Sequence, residues 1–260
     1  MGAGNMASAL LKPLKKELLS FNLFFYTPSI KRAKSLASEL DQVALEGEED
    51  PNWKVDFDGL FLTHKPQQLQ QVGEFLKKKL KSEPNYIISI IAGKSVSDIQ
   101  ANLYSIPVLR LMPNTPCLVG KGIISEFASF NFENKLKNTF HYLFSCYSKV
   151  VTFLDEGTFD KATPILGSGP GVLFEFANIF YHELLMLGLS QDLSKSLVSE
   201  LFKGSFDLAT ASEKSFVDQR DAVTSKGGIT ERMLEVLKEK NISGIIKEAI
   251  DEGRLRGELL

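Results

Sequence analysis

Cysteine, histidine and tryptophan are scarce: two, three and one respectively in 260 residues. Cys117 and Cys146 have no metal-ligand spacing, so no metal site is expected. Disulfide stapling is not expected either, and the pair suits a reducing, cytoplasmic setting. No apolar run approaches the ~20 residues that a membrane helix needs. The N-terminus shows no basic region followed by an apolar core, so no signal peptide is expected. Met6 stands where a myristoylation motif carries Ser or Thr. Charge of one sign is also lacking, with a formal net charge of -2 and a pI of about 6.0. Nothing in that balance invites nucleic acid or an anionic membrane. Lys77-Lys78-Lys79 reads as the solvated end of a helix. Repeats and low-complexity segments are absent. What remains is 43% apolar and 24% charged, the composition of a globular protein of two domains or one large one.

The most informative stretch is Thr224-Ser225-Lys226-Gly227-Gly228-Ile229-Thr230, which opens into an amphipathic run from Glu231 to Lys240. Adjacent glycines permit positive φ and close approach to a ligand. Thr230 stands where the helix begins, and Met233, Leu234, Val236 and Leu237 mark its apolar side. The first N–H groups of a helix lack internal partners, and the macrodipole makes that end partly positive. The turn is therefore either a seat for a small carboxylate, flanked by hydroxyls, or an ordinary helix cap.

Gly2-Ala3-Gly4-Asn5-Met6-Ala7 begins the chain ahead of a helical stretch. Gly-x-Gly-x-x-Ala before a helix is a dinucleotide fingerprint, with glycines bringing backbone N–H groups to a pyrophosphate. The apolar strand that normally precedes it is missing. Either an upstream strand belongs here or the site survives without one; the first is favoured, because removing a central strand exposes its neighbours on both sides. Leu23 to Tyr26 reads as the next strand. Its end carries Thr27, Ser29, Lys31 and Arg32 rather than the Asp or Glu that binds the ribose of NAD. That pattern favours a 2′-phosphate, with solvated helix-start charges as the alternative. Further strands are expected at Gln42–Leu45, Gly59–His64, Tyr86–Ile91, Pro107–Met112, Gly122–Phe127 and Val150–Phe153, with helices over Gln67–Leu80 and Ser95–Leu103. Alternation of this kind predicts a mostly parallel sheet. From Glu156 the pattern is helical only; Val172–Leu187 is apolar nearly all round, so its burial calls for a second subunit.

Taken in order, these blocks resemble the pyrroline-5-carboxylate reductase family over nearly the whole length. The resemblance rests on Gly2–Ala7, His64-Lys65-Pro66-Gln67, Ser89-Ile90-Ile91-Ala92-Gly93, Met112-Pro113-Asn114-Thr115-Pro116, Gly167-Ser168-Gly169-Pro170 and Val223–Thr230. It implies reduction of a cyclic imine, 1-pyrroline-5-carboxylate, to L-proline with NADPH or NADH. It also implies an α/β fold: a Rossmann-like NAD(P)-binding domain over residues 1–155, first strand lacking or truncated, and an all-α dimerisation and substrate domain over 156–260. The assembly would be a homodimer, with a higher oligomer left open. By resemblance Gly2, Gly4, Asn5 and Met6 hold the pyrophosphate, and Ser29 sits near the adenosine ribose or its phosphate. Thr63, Lys65, Pro66, Ala92 and Gly93 line the cofactor, with Asn114 and Thr115 near the nicotinamide. Val223, Ser225, Gly227, Gly228 and Thr230 form the imino-acid pocket, with Thr230 closest to the ring nitrogen and the candidate catalytic residue.

The chain departs from the family pattern at several places. Lys226 replaces a proline of the pocket loop, and Lys121 replaces a glutamate. Leu166, Gly171 and Val172 flank Gly-Ser-Gly-Pro where Ser, Ala and Tyr are usual, and His182-Glu183-Leu184 replaces a small-residue segment. These changes keep two alternatives open: a non-catalytic NADP-binding homologue, or a reductase of a related cyclic imino acid. His64 reads as a strand-end structural residue or a cofactor contact, His182 as structural, and His141 carries no signal.

Overall fold

The strands of the larger sheet follow one another in sequence order, with helices of the first unit between them. Residues 1–260 are all described by a computed structural model. The chain forms two compact units, Met1–Pro170 with Gly253–Leu260, and Gly171–Glu252. In the first unit, α1 (Asn5–Leu11) leads to β1 (Phe24–Phe25), α2 (Ile30–Glu39) and β2 (Val43–Ala44). Then come β3 (Gly59–Leu62), α3 (Leu69–Lys79), β4 (Tyr86–Ser89), α4 (Val96–Asn102) and β5 (Val108–Pro113). β6 (Gly122–Ala128), α5 (Asn134–Ser145), β7 (Ser148–Thr152) and α6 (Glu156–Leu166) complete it. β1 and β2 form a parallel pair; β3 to β7 form a five-stranded sheet, parallel except where β6 runs against β5. β5 is buried throughout because helices cover both faces.

Met1 and Gly2 bridge β1 and β3 through backbone hydrogen bonds. The Met1 amino group donates to Phe61 O at 2.7 Å. Thr63 N donates to Met1 O, and Gly2 N to Tyr26 O, each at 2.8 Å. Gly2 has φ of 106°, and a Cβ there would lie 2.5 Å from Thr63 Oγ1, so only glycine fits.

Burial pushes the Met1 amino group down from 8.0 to about 5. Between those values the unfolded chain binds more protons than the folded one, so stability rises with pH across the window. Burial also lowers His64 from 6.5, which acts with the same sign. At ~1.36 kcal/mol per unit, the amino group alone gives a rise on the order of 3 kcal/mol. Urea unfolding at pH 5.5 and pH 8 checks this; a flat profile contradicts the burial of that nitrogen.

The second unit holds most of α7 (Gly169–Met186), α8 (Gln191–Ala211), α9 (Phe216–Ala222), α10 (Ile229–Glu239) and the first part of α11 (Ile242–Glu258). The sequence reading missed α9, whose start is a capping box between Ser215 and Asp218. Pro164, expected to punctuate the helical region, lies inside α6, and Pro170 lies in the first turn of α7. No residue of α7 or α10 is buried within a single chain. Phe174 is 66% exposed and Met186 83% exposed, so the apolar faces expected to be covered are not covered by this chain itself. No helix is long and apolar enough to cross a membrane.

A buried carboxylate ties the end of the sheet together. Glu126, fully buried on β6, accepts from His141 Nδ1 at 2.8 Å and from Thr152 Oγ1 at 2.5 Å. His141, silent in the sequence, therefore joins α5 to β6.

Candidate cofactor and substrate site

The carboxyl ends of β1 and β3 converge on the Gly2–Asn5 loop. Open α/β sheets bind ligands outside that edge, where the strand order reverses. A cavity of about 970 Å³ opens there. Of the residues singled out from sequence, Gly2, Gly4, Asn5, Met6, Thr63, Lys65, Pro66 and Ala92 line it together. Thr27, Pro28, Arg32, Ser35 and His64 complete much of the wall.

Gly4 caps α1 without any side-chain bond, and a Cβ built on it would meet nothing within 4 Å. The first backbone N–H groups of α1 thus face open space, as a pyrophosphate cradle requires. The His64 Nδ1–H donates to Lys65 O at 3.0 Å. That bond fixes the neutral tautomer and leaves Nε2, a buried acceptor without a partner, at the cavity wall. An unpaired buried acceptor invites a hydroxyl donor from a ligand. Arg32 and Lys65 are exposed cations of the wall, whereas Lys12 is paired with Glu39 at 2.5 Å. The donor set and the open glycine cradle fit a phosphorylated dinucleotide.

Four proposed cofactor residues lie outside the cavity wall. Ser29 is the N-cap of α2, one position beyond the wall residue Pro28. Gly93 faces the chain's own C-terminal segment; a Cβ there would come 2.1 Å from Gly257 O. The Asn114 side chain is committed to the fold: Nδ2 donates to Leu166 O, and Oδ1 accepts from Ile123 N, each at 2.9 Å. Thr115 starts a short 3-10 turn and is exposed. Arg32 and His64, read from sequence as a candidate phosphate cation and a strand-end residue or cofactor contact, lie on this wall; Ser35 was not singled out, and helical spacing from Arg32 is the signal that places it one turn on.

In the second unit, Val223, Ser225, Gly227, Gly228 and Thr230 lie on the turn between α9 and α10. Gly227 has φ of 73°, the left-handed angle that glycine tolerates. The helix cap is Gly228, not Thr230, which sits half-buried in the first turn of α10. Gly228 carries no Cβ because Ser225 Oγ lies 2.4 Å from where it would be. Thr224 Oγ1 donates to Arg220 O at 2.7 Å, so that hydroxyl serves the turn itself. Gly227 N–H donates to the chain's own Glu231 carboxylate at 2.6 Å.

A family model described as pyrroline-5-carboxylate reductase dimerisation matches residues 156–260. A pyrroline-5-carboxylate reductase from Staphylococcus haemolyticus is 31% identical over 254 residues, covering 96% of this chain and 92% of that protein. Among solved structures, a 1-pyrroline-5-carboxylate reductase from Streptococcus pyogenes is 25% identical with a TM-score of 0.87, covering 100% of this chain and 96% of the other. A Plasmodium falciparum pyrroline carboxylate reductase with NADP bound is 27% identical with a TM-score of 0.85, covering 100% and 95%. An identity of 31% along nearly the whole of both chains means that the chain belongs to the pyrroline-5-carboxylate reductase family.

Proposed function

We propose that this protein reduces 1-pyrroline-5-carboxylate to L-proline in the cytoplasm, as a homodimer, with NADPH as the preferred donor and NADH as a weaker one. The observation that carries the reading is the cavity at the Gly2–Asn5 loop, with its open Gly4 cradle, in a chain 31% identical to a reductase of that name. When bound, the nicotinamide cofactor supplies a hydride to the imine carbon.

The chain's own residues bind, align and support charge. Gly2, Gly4, Asn5 and Met6 hold the pyrophosphate through backbone N–H groups. Thr63, Lys65, Pro66, Ala92 and Gly93 position the rest of the cofactor, with Ser29 near the adenosine ribose and Asn114 and Thr115 near the nicotinamide. Val223, Ser225, Gly227 and Gly228 seat the imino-acid carboxylate, and the Thr230 hydroxyl donates to the ring nitrogen as the hydride arrives. The uncovered apolar face of α7 supports pairing with a second copy.

NADPH oxidation in the presence of pyrroline-5-carboxylate tests this function, with a six-membered cyclic imino acid run alongside. Turnover of the five-membered ring is expected to dominate. Faster turnover of the six-membered ring indicates a related imine as substrate, and NADPH binding without turnover of either indicates a non-catalytic homologue.

Arg32 is the cation placed to meet the 2′-phosphate. Arg32→Ala is expected to raise KM for NADPH about 10- to 100-fold, the equivalent of one charge-assisted hydrogen bond of ~1.5–3 kcal/mol. KM for NADH should stay within about twofold, because NADH lacks that phosphate. Equal losses with both cofactors would mean that Arg32 shapes the wall rather than reads the phosphate.

A further inference from the structure

α11 starts in the second unit and ends in the first, where Gly253–Leu260 groups with Met1–Pro170. Gly253 and Gly257 stand four apart and share one face of the helix. A Cβ on Gly253 would lie 3.4 Å from Pro164 Cβ in α6, an ordinary contact. Gly257 O lies 2.1 Å from where a Cβ on Gly93 would stand, and Leu260 Cβ 3.1 Å from the same point. Gly93 has φ of 67°, the left-handed angle that glycine takes without strain. The last turn of α11 therefore rests on the bare backbone of Gly93, and any side chain there would push it away.

Each contact is one residue away from the cofactor cavity. Ala92 precedes Gly93 and Thr163 precedes Pro164, and both line the wall. The strand side of the Ala92–Gly93 loop is tied to the sheet, where Ile90 N donates to Leu62 O at 3.0 Å. Its helix side is tied to α6, where Val96 N donates to Glu156 Oε1 at 2.7 Å. Between those anchors lies a glycine, with the widest backbone freedom of any residue. What stands against it is Gly257 and Leu260. Close-packed backbones transmit a displacement rather than absorb it, so a shift of this turn carries over to Ala92.

We propose that the Gly253–Leu260 end of α11 is a positioning element for the cofactor, with Gly257 bracing the Ala92–Gly93 loop against the cavity. The inference rests on the reading of that cavity as the dinucleotide site. Gly253, Gly257 and Leu260 do not line the cavity, so their effect on the cofactor passes through Ala92.

NADPH titrations of the full chain test this, with Kd read by cofactor fluorescence and amide exchange recorded alongside. Gly257→Pro removes the N–H of position 257 and unseats the last helical turn. It should raise Kd for NADPH about 10-fold. It should also speed exchange of the Gly93 and Lys94 amides by about 10-fold or more. Leu259→Ala alters the same turn at a side chain that is 76% exposed, and Kd should there stay within about twofold. Gly93→Ala should raise Kd more than Gly257→Pro does, because its Cβ meets Gly257 O. In the Gly257→Pro background that carbonyl has moved, so the same alanine should cost at least about threefold less than it does alone. An unchanged Kd in Gly257→Pro, an equal loss in Leu259→Ala, or losses that simply multiply in the double variant overturns the proposal. A parent chain that does not bind NADPH removes the site and this inference with it. A parent that binds NADPH without turnover strikes the reductase reading alone, because Kd and exchange need no imine substrate.

Discussion

Thr230→Ala is expected to lower kcat by about 10²-fold or more while KM for NADPH stays within about twofold. Hydride addition to a C=N carbon leaves an electron pair on nitrogen, and a hydroxyl aimed at that atom stabilises the change as it develops. Positioned proton donors contribute ~10²–10⁴-fold, which sets the size of the loss. Thr230 is half-buried in the first turn of α10, immediately after the Gly227–Gly228 turn. Thr230→Ser retains the hydroxyl and should recover at least a tenth of the rate. The removed methyl is small and the site is not a core position, so the thermal midpoint should hardly move. Steady-state kinetics of both variants decide the matter. Full kcat in the alanine variant would remove Thr230 from the chemistry without touching the reductase reading, which rests on turnover itself.

Arg110→Ala is expected to destabilise the first unit by about 3–4 kcal/mol, read by urea unfolding. Arg110 stands in the middle of β5 at 2% exposure. Its guanidinium donates to Glu156 at 2.6 Å and to both Asp160 oxygens, at 2.7 and 3.2 Å. It also lies 4.6 Å from the Phe159 ring centroid. Breaking a buried pair costs ~3–5 kcal/mol. Glu156 and Asp160 side chains are 28% and 45% exposed, so the orphaned carboxylates reach water and the loss falls toward the low end. The lost cation–π contact restores about 1 kcal/mol of it. Arg110→Lys should recover less than half, because an ammonium cannot span two carboxylates as a planar fork does. A change below about 1 kcal/mol in the alanine variant would show that the bridge balances its own desolvation.

The Arg110 bridge also illustrates what periodicity hides. Pro107 to Met112 reads as an apolar strand, and one arginine inside it looks like a blemish. Its partners lie 46 and 50 positions further on, in a helix whose packing direction no local pattern encodes. His141 is the same case with Glu126. The turn at Gly227–Thr230 is a subtler one: a hydroxyl before a helical run suggested a Thr cap, yet Gly228 is the cap because Ser225 leaves no room for a Cβ there.

By itself the sequence determined the α/β order, the cradle loop and the family, because each is written in short-range patterns. Strands alternate with helices, glycines sit at fixed offsets before a helix, and the blocks run in family order. The seven strands lie close to where spacing put them, as do the helices that were called, whereas α2 and α9 were not called. Tertiary structure alone decided which of those residues meet. It gathered eight proposed cofactor residues at one cavity and added Ser35, while fastening the Asn114 side chain to Leu166 and Ile123. It also joined β1 to β3 through Met1 and Gly2, two residues whose sequence signal is a phosphate loop and nothing more. The reason is one of range. Propensity and periodicity act over one or two turns of chain, whereas a wall or a bridge is defined by backbones that meet across the sheet.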